Sequence, residues 1–226
     1  MNLQAHYNQL YESAIKKIKS NNYQRDFLID SPDDRRFGVT LLVRPSENIK
    51  NKIQFLLDDL KQIDPIQYYY PSTDIHITIM SIISCYEGFR LDQISTSEYI
   101  ELISSNLKEI DKFNITFKGI TASDSSVMIQ GFPTDENLNN LRNGLRNSFR
   151  SSNLKQSIDK RYTIQTAHST VLRFREKLLR INEVLEVLDY YKDYEFGTFE
   201  VNELELVFND WYQRKNNSKL IKKFHL

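Results

Sequence analysis

The chain has 226 residues, enough for one large domain or two small lobes with a sizeable core. Its 30 Lys and Arg residues balance 30 Asp and Glu, which argues against a protein that coats long duplex nucleic acid by neutralising charge, since that takes a strongly basic domain. An apolar content of 40% excludes disorder, six glycines and five prolines exclude Gly-rich and Pro-rich classes, and a single cysteine, Cys85, excludes a disulfide scaffold and a Cys-rich zinc site and suits a reducing compartment.

Residues 3 to 19 read as an amphipathic helix. Tyr7, Leu10, Tyr11, Ala14, Ile15 and Ile18 recur at the spacing of one helical face, and Lys16, Lys17 and Lys19 favour its C-terminal dipole end. Residues 1–30 are expected to form an N-terminal helical extension, with residues 31–226 as a single bilobal domain. The polar turn residues 30 to 36 join the two. No segment has the roughly 18 continuous apolar residues of a membrane span, and the start lacks the features of a signal peptide. The expected compartment is the cytoplasm.

From Phe37 onward one order of elements is written twice. In the first copy Phe37 to Val43 reads as a strand, residues 47 to 63 as a helix and Ile75 to Ile79 as a strand. Ser95 and Glu98 then form a capping box that opens a helix, and Phe113 to Thr121 alternates as a strand. In the second copy Val127 to Pro133 is a strand, residues 135 to 150 a helix carrying Leu138, Leu141, Leu145 and Phe149, and Ala167 to Val171 a strand. A helix with Leu178, Ile181, Val184, Leu185 and Leu188 follows, and Phe199 to Phe208 is the last long strand. Pro45 and Pro133 stand at nearly the same spacing as His76 and His168, which suggests an internal duplication with lobes at about 36–122 and 123–226. The alternation of strands and helices first suggests a doubly wound parallel sheet. No Gly-rich loop follows the first strand, and the short link between residues 121 and 125 forces an antiparallel hairpin, because a parallel crossover needs about a dozen residues. The expected class is therefore α+β, with two antiparallel sheets facing a central cleft and helices outside.

Two of the four histidines begin a His-x-Thr sequence with apolar flanks. Side chains at i and i+2 share one strand face, so His76 with Thr78, and His168 with Thr170, each pair an imidazole with a hydroxyl. One such pair alone reads as ordinary strand packing; two at matching positions of a duplication read as a site. Imidazole titrates near neutrality, so one ring can act as base and the other as acid, while hydroxyls donate to phosphate oxygens. That suits in-line opening of a phosphodiester without a metal, and the spacing is a poor metal signature. Tyr68, Tyr69, Tyr70, Trp211 and Tyr212 are candidates to stack on a base, with core or rim packing as the alternative, and Arg173 is a candidate phosphate contact. Arg142, Arg146 and Arg150 form a stripe at i+4, either a solvated helix face or an RNA-facing rim. A Cys85–His hydrolase lacks a third orienting group, and the neighbours Asp33-Asp34 and Asp58-Asp59 do not share a face as a carboxylate dyad would.

These residues resemble the 2H phosphoesterases, the LigT-like, 2′-5′ RNA ligase and cyclic phosphodiesterase family. Its hallmark is two His-h-Thr/Ser-h tetrapeptides, h being hydrophobic. Here they are His76-Ile77-Thr78-Ile79 and His168-Ser169-Thr170-Val171, the second departing from the pattern at Ser169, a position that faces away from the cleft. The resemblance covers about residues 36 to 208 and leaves the first helix outside. It implies hydrolysis of a 2′,3′-cyclic phosphate or a 2′-5′ phosphodiester of RNA ends or small nucleotides. One of His76 and His168 would activate water, the other would protonate the leaving ribose oxygen, and Thr78 and Thr170 would hold the phosphate. Weaker implied contacts are Tyr70, Arg173, Trp211 and Tyr212. No metal and no cofactor are expected, and the expected state is a monomer acting on a nucleotide or RNA end, without membrane or long duplex partners. Rival readings are RNA 2′-5′ ligation, a non-catalytic nucleotide or RNA-end binding module, and a mutarotase-like sugar enzyme.

Overall fold

The computed structural model describes residues 2–226; Met1, the first residue of the expected 1–30 segment, lies outside them. Five α-helices occur among these residues: α1 (Leu3–Lys19), α2 (Glu47–Ile63), α3 (Thr96–Leu107), α4 (Asn137–Arg150) and α5 (Ile181–Tyr190). The strands are β1 (Arg36–Val43), β2 (Tyr68–Tyr69), β3 (Ile77–Glu87), β4 (Phe113–Ala122), β5 (Ser126–Pro133), β6 (Ser169–Arg173), β7 (Glu195–Val201), β8 (Glu203–Asp210) and β9 (Lys219–His225). They form a four-stranded sheet in the order β3-β1-β8-β9 and a five-stranded sheet in the order β2-β6-β5-β4-β7. Every described pairing is antiparallel. The α+β class with two antiparallel sheets is thus the observed one.

The repeat is real in element order but not in the way the sheets are assembled. In each half the first strand pairs with the strand that follows the histidine, β1 with β3 and β5 with β6. The closing strands are exchanged: β4 pairs with β5, and β8 returns to pair with β1. Residues 36–122 and 123–226 are therefore not two separate lobes, because each sheet draws strands from both. The helices are exchanged as well. Helix α2 packs on β6 and β7 of the five-stranded sheet, whereas α4 packs on β3 of the other.

The expected single strand Phe199 to Phe208 is two strands in different sheets, broken at Asn202. The buried positions change phase there, from Phe199 and Val201 to Leu204 and Leu206, so the inward face flips and the chain crosses over. Strand β9, absent from the sequence reading, carries Lys219, Lys222 and Lys223 and has only Phe224 buried. Such a charged edge strand shows no clean alternation of buried and exposed residues.

The first helix is part of the packed unit rather than an extension. Tyr7, Tyr11, Ala14 and Ile18 are buried, and α1 packs on β4 and α5. The Tyr7 hydroxyl donates to the Gly131 carbonyl (3.2 Å), and the Thr121 hydroxyl donates to the Tyr7 carbonyl (3.0 Å). The turn-rich stretch after α1 is tied down by Gln24 N–H to the Asp124 carbonyl (2.7 Å) and Asp26 N–H to the Phe174 carbonyl (2.8 Å). Among the described residues no helix is long and apolar enough to cross a membrane.

Candidate active site

The two sheets face each other across a cleft of about 290 Å³. The four-stranded sheet contributes Thr78, Ser81 and Ser84 to its wall, and the five-stranded sheet contributes Ser126, Thr170 and Arg173. His76 and His168 line the same cleft. Each stands one residue before its strand begins, where the chain bends in from a loop, while Ile77, Ile79 and Val171 point into the core. Both His-Thr pairs therefore line one cavity, with each histidine just outside the strand that the sequence reading assigned it to.

The ring of His76 is oriented from behind. Its Nδ1 lies 2.7 Å from the Asp74 carbonyl, which can only accept, so Nδ1 carries the hydrogen and Nε2 is left for a ligand. His168 Nδ1 lies 2.7 Å from the Thr166 hydroxyl, a partner that can give or take a proton. Burial lowers both imidazoles to a pKa of about 4. For His76 the Asp74 carbonyl partly opposes this, and nearby Arg44, His168 and Arg173 add to it; for His168 the added charges are Arg142, Arg173 and His6. Both rings are neutral at pH 7.

Arg142 ties the two histidine segments together. It is 1% exposed, not part of a solvated stripe or an RNA-facing rim. Its Nε donates to the Ile79 carbonyl (3.0 Å), and its Nη2 donates to the carbonyls of Thr78 (3.0 Å) and Thr166 (2.9 Å). Burial without a carboxylate partner lowers the Arg142 pKa to about 10. One turn on, Arg146 donates to Asp159 (2.9 Å) and to the Ile164 carbonyl (2.8 Å), and Arg150 reaches Asp159 (3.2 Å). The stripe thus anchors the loop that leads into His168. A signal for this is present in the sequence: Arg142 falls at i+4 from Leu138 and i−3 from Leu145, on the apolar face of α4. A further constraint comes from β5, where a Cβ at Gly131 would lie 1.9 Å from the Ala167 carbonyl oxygen; only glycine allows β5 this close to the residue before His168.

The other sequence candidates separate. Arg173 lines the cleft; its Nε donates to the Tyr70 hydroxyl (3.0 Å) and its Nη1 reaches Asp26 (3.4 Å). Tyr70 reaches the cleft wall but is 2% exposed, with its ring edge-on to Tyr68, so no ring face is open to a base. Trp211 is on the cleft rim, where the guanidinium groups of Arg36 and Arg161 stack on it at 4.6 and 4.5 Å. Tyr212 corrects the expectation outright. It is 1% exposed and outside the cleft lining, and its hydroxyl donates to Asp26 (2.8 Å), so it is a packing residue.

The cleft also contains groups that sequence reasoning does not single out. Ser81 and Ser84 reach it because register shifts between β1 and β3 break the simple alternation that begins at Thr78. Ser123 and Ser125 come from the β4–β5 turn, Ser126 from the start of β5, and Arg161 from the long loop before His168. Cys85 lines the cleft, but burial pushes its thiol up to about 12, which keeps it protonated and a poor nucleophile. Asp34 is engaged by Arg36 at 2.7 Å, and Asp59 accepts from the Tyr191 hydroxyl at 2.7 Å, so neither belongs to a carboxylate dyad. Among the described residues no group of three or more His, Cys, Asp or Glu side chains is arranged to hold a metal ion.

A family model described as the AKAP7 2′5′ RNA ligase-like domain matches residues 40–222. Among solved structures, one described as a phosphoesterase aligns over 84% of this chain and 98% of its own at 14% identity, with a TM-score of 0.57. LigT of E. coli complexed with 3′-AMP aligns over 85% of this chain and 98% of its own, again at 14% identity and a TM-score of 0.57. TT0787 of Thermus thermophilus aligns over 84% and 97% at the same identity and TM-score. At this identity the likeness is one of fold. No curated protein sequence matches the chain significantly.

Proposed function

The chain belongs to the AKAP7 2′5′ RNA ligase-like domain family, within the LigT-like 2H phosphoesterases, and from that membership we propose that it hydrolyses a 2′,3′-cyclic phosphate or 2′-5′ phosphodiester of an RNA end or small nucleotide. The observation that carries this reading is the convergence of His76, Thr78, His168 and Thr170 on one cleft from two opposed sheets. A phosphodiester seated between the rings would receive donor bonds from the two threonine hydroxyls. One imidazole takes a proton from water as the water oxygen bonds to phosphorus. The other gives a proton to the ribose oxygen as its bond to phosphorus breaks, leaving a phosphomonoester and a free hydroxyl. On this reading Arg173, the cleft-lining serines and Arg161 would complement phosphate and sugar oxygens. The nucleotide class is supported by LigT having been solved with 3′-AMP and with ATP.

Turnover of 2′,3′-cyclic AMP and a 2′-5′-linked adenosine dinucleotide, followed by chromatography in the presence of EDTA, tests the proposal. Product from either substrate is the expected result. Binding of both without product would replace the reading by a nucleotide-binding module. Sugar epimerisation without phosphodiester turnover would replace it by a mutarotase-like enzyme.

The depressed imidazoles make a second prediction. The acid must be protonated, yet both rings sit near pKa 4 in the free protein. The negative phosphodiester favours imidazolium and raises the pKa of the acid in the complex. Since kcat/KM reports the free enzyme and kcat the complex, kcat/KM is expected to fall with rising pH already above about pH 4. The corresponding fall in kcat is expected at distinctly higher pH. Coincident pH profiles for the two parameters would contradict this account.

A further inference from the structure

His76 and His168 are held by unlike partners. The Nδ1 of His76 meets the Asp74 carbonyl, which can only accept, so one contact settles its tautomer. The Nδ1 of His168 meets the Thr166 hydroxyl, which can donate or accept, so its tautomer depends on where the Thr166 hydrogen goes. Thr166 and His168 share the wall of a second cavity, of about 300 Å³, with Tyr7 of α1. Thr78 and His168 line this cavity and the cleft alike. Helix α1 lies outside the residues that match the family model, so Tyr7 is a contribution of the N-terminal segment.

Tyr7 is fully buried and held at both ends. Its carbonyl accepts from the Thr121 hydroxyl (3.0 Å), and its own hydroxyl donates to the Gly131 carbonyl (3.2 Å) and accepts from the Gly131 N–H (3.3 Å). Gly131 in turn lies against the Ala167 carbonyl, so Tyr7, Gly131 and the residue before His168 form one packed group. Burial pushes the Tyr7 phenol up to about 12, opposed by hydrogen bonds from Gly131 and Ala167, by the charge of Arg142 and by a hydrogen bond from the Thr166 side chain. The Gly131 carbonyl can only accept, so the phenol hydrogen is committed to it. The Tyr7 oxygen then offers Thr166 lone pairs alone. The Thr166 hydrogen turns to that oxygen, and the Thr166 oxygen accepts from Nδ1–H of His168. The donors run from His168 through Thr166 and Tyr7 to Gly131, and a chain that ends on a carbonyl has only one direction.

We infer that Tyr7 and Thr166 are positioning residues that hold His168 in its Nδ1–H tautomer, with Nε2 bare towards the substrate. This rests on the reading of His168 as one of the reacting pair and assigns α1 a part in that reaction. The five-stranded sheet thereby reaches, with two hydroxyls, the ring state that the Asp74 carbonyl gives His76 directly. Without the phenol, the Thr166 hydrogen turns to Nδ1, and neutral His168 carries its hydrogen on Nε2, where it has no lone pair to take a proton or to be charged as the acid. Tyr7 and Thr166 act through His168 and exchange no proton with substrate.

The test reads the tautomer and the turnover separately. Nitrogen-15 NMR of the imidazoles distinguishes Nδ1–H from Nε2–H in the full chain, with the His168 signals assigned by their loss in His168→Ala. His168 is expected as Nδ1–H in the wild type and as Nε2–H in Tyr7→Phe, while His76 stays Nδ1–H in both and reports that the cleft is intact. Steady-state kinetics on 2′,3′-cyclic AMP and on a 2′-5′-linked adenosine dinucleotide is expected to show kcat lowered about tenfold or more in Tyr7→Phe and Thr166→Val, a part of the 10²- to 10⁴-fold that a general base or acid contributes, with KM little changed. Thr166→Ser, which keeps the hydroxyl, is expected to stay within about threefold of wild-type kcat, well short of that loss. A wild-type His168 with its hydrogen on Nε2 overturns the inference. So does a fall in kcat without a change of tautomer, which is mere structural damage, or a change of tautomer that leaves kcat as in the wild type. In a chain that turns over neither substrate, a tautomer that changes in Tyr7→Phe upholds the hold of α1 on His168 and overturns the phosphoesterase reading, and one that does not change overturns both.

Discussion

Replacing His76 or His168 by alanine is expected to lower kcat for a 2′,3′-cyclic nucleotide by about 10²- to 10⁴-fold, the usual size of a general acid–base contribution. Each ring is held by a single contact through Nδ1, to the Asp74 carbonyl or the Thr166 hydroxyl. Neither ring is tied into an ion pair, so its removal takes away proton transfer without breaking a charged network. If the two act as base and acid of one step, the double variant should be little slower than the worse single variant, because a half-complete pair has already lost concerted transfer. Steady-state kinetics on the three variants decides the point, and full activity in both single variants would remove the catalytic assignment. A stability measurement separates this from damage to the fold. Both rings titrate near pH 4 in the folded protein against 6.5 for an unperturbed imidazole. In that window the unfolded chain binds protons that the folded chain does not, so wild-type stability falls as pH drops from about 6.5 towards 4. The alanine variants are expected to lose less stability over the same interval.

Arg142→Ala is expected to destabilise the protein by about 2–4 kcal/mol, through buried carbonyls left without a donor and a side-chain cavity at the heart of the site. In a chain of this size that corresponds to a fall in Tm of roughly 4–16 °C. The three carbonyls belong to Thr78, Ile79 and Thr166, so the same change loosens the spacing between the two histidine segments. Turnover measured well below the melting transition should therefore fall too, although Arg142 is behind the cleft rather than in it. Arg142→Lys restores the charge but not the planar fork that reaches three acceptors, and is expected to recover only a minor part of either loss. Denaturant midpoints and kcat for the two variants provide the check. A stability within about 0.5 kcal/mol of wild type, the usual spread of surface changes, would show that the guanidinium does not clamp the two segments.

Much of the site is legible in the sequence because its information is local. Thr78 and Thr170 alternate with buried Ile77, Ile79 and Val171, and that period-2 pattern can be read from a few residues. Ser169 is fully buried, in keeping with its assignment to the face away from the cleft. Helix α2 spans Glu47–Ile63, as its apolar spacing indicates. Arg142 escapes such a reading for a physical reason: three arginines at i+4 look like a surface stripe unless the leucines around the first of them are weighed on the same wheel. Tyr212 and Tyr70 escape it because an aromatic next to a strand end has the same sequence whether its ring faces solvent or is packed under Arg173 and Asp26.

By itself the sequence determined the alternation of strands and helices, the antiparallel hairpin at residues 121 to 125 and the two His-Thr pairs with their shared face. All of these follow from backbone periodicity and loop length, which act over a few residues. Only the tertiary structure decided that β4 and β8 trade places between the sheets, that α1 walls a second cavity, and that one buried guanidinium spans both histidine segments. Those features depend on which distant strand supplies the free hydrogen-bonding edge and which apolar face is left to cover. Such pairings join residues far apart along the chain and leave no trace in local periodicity.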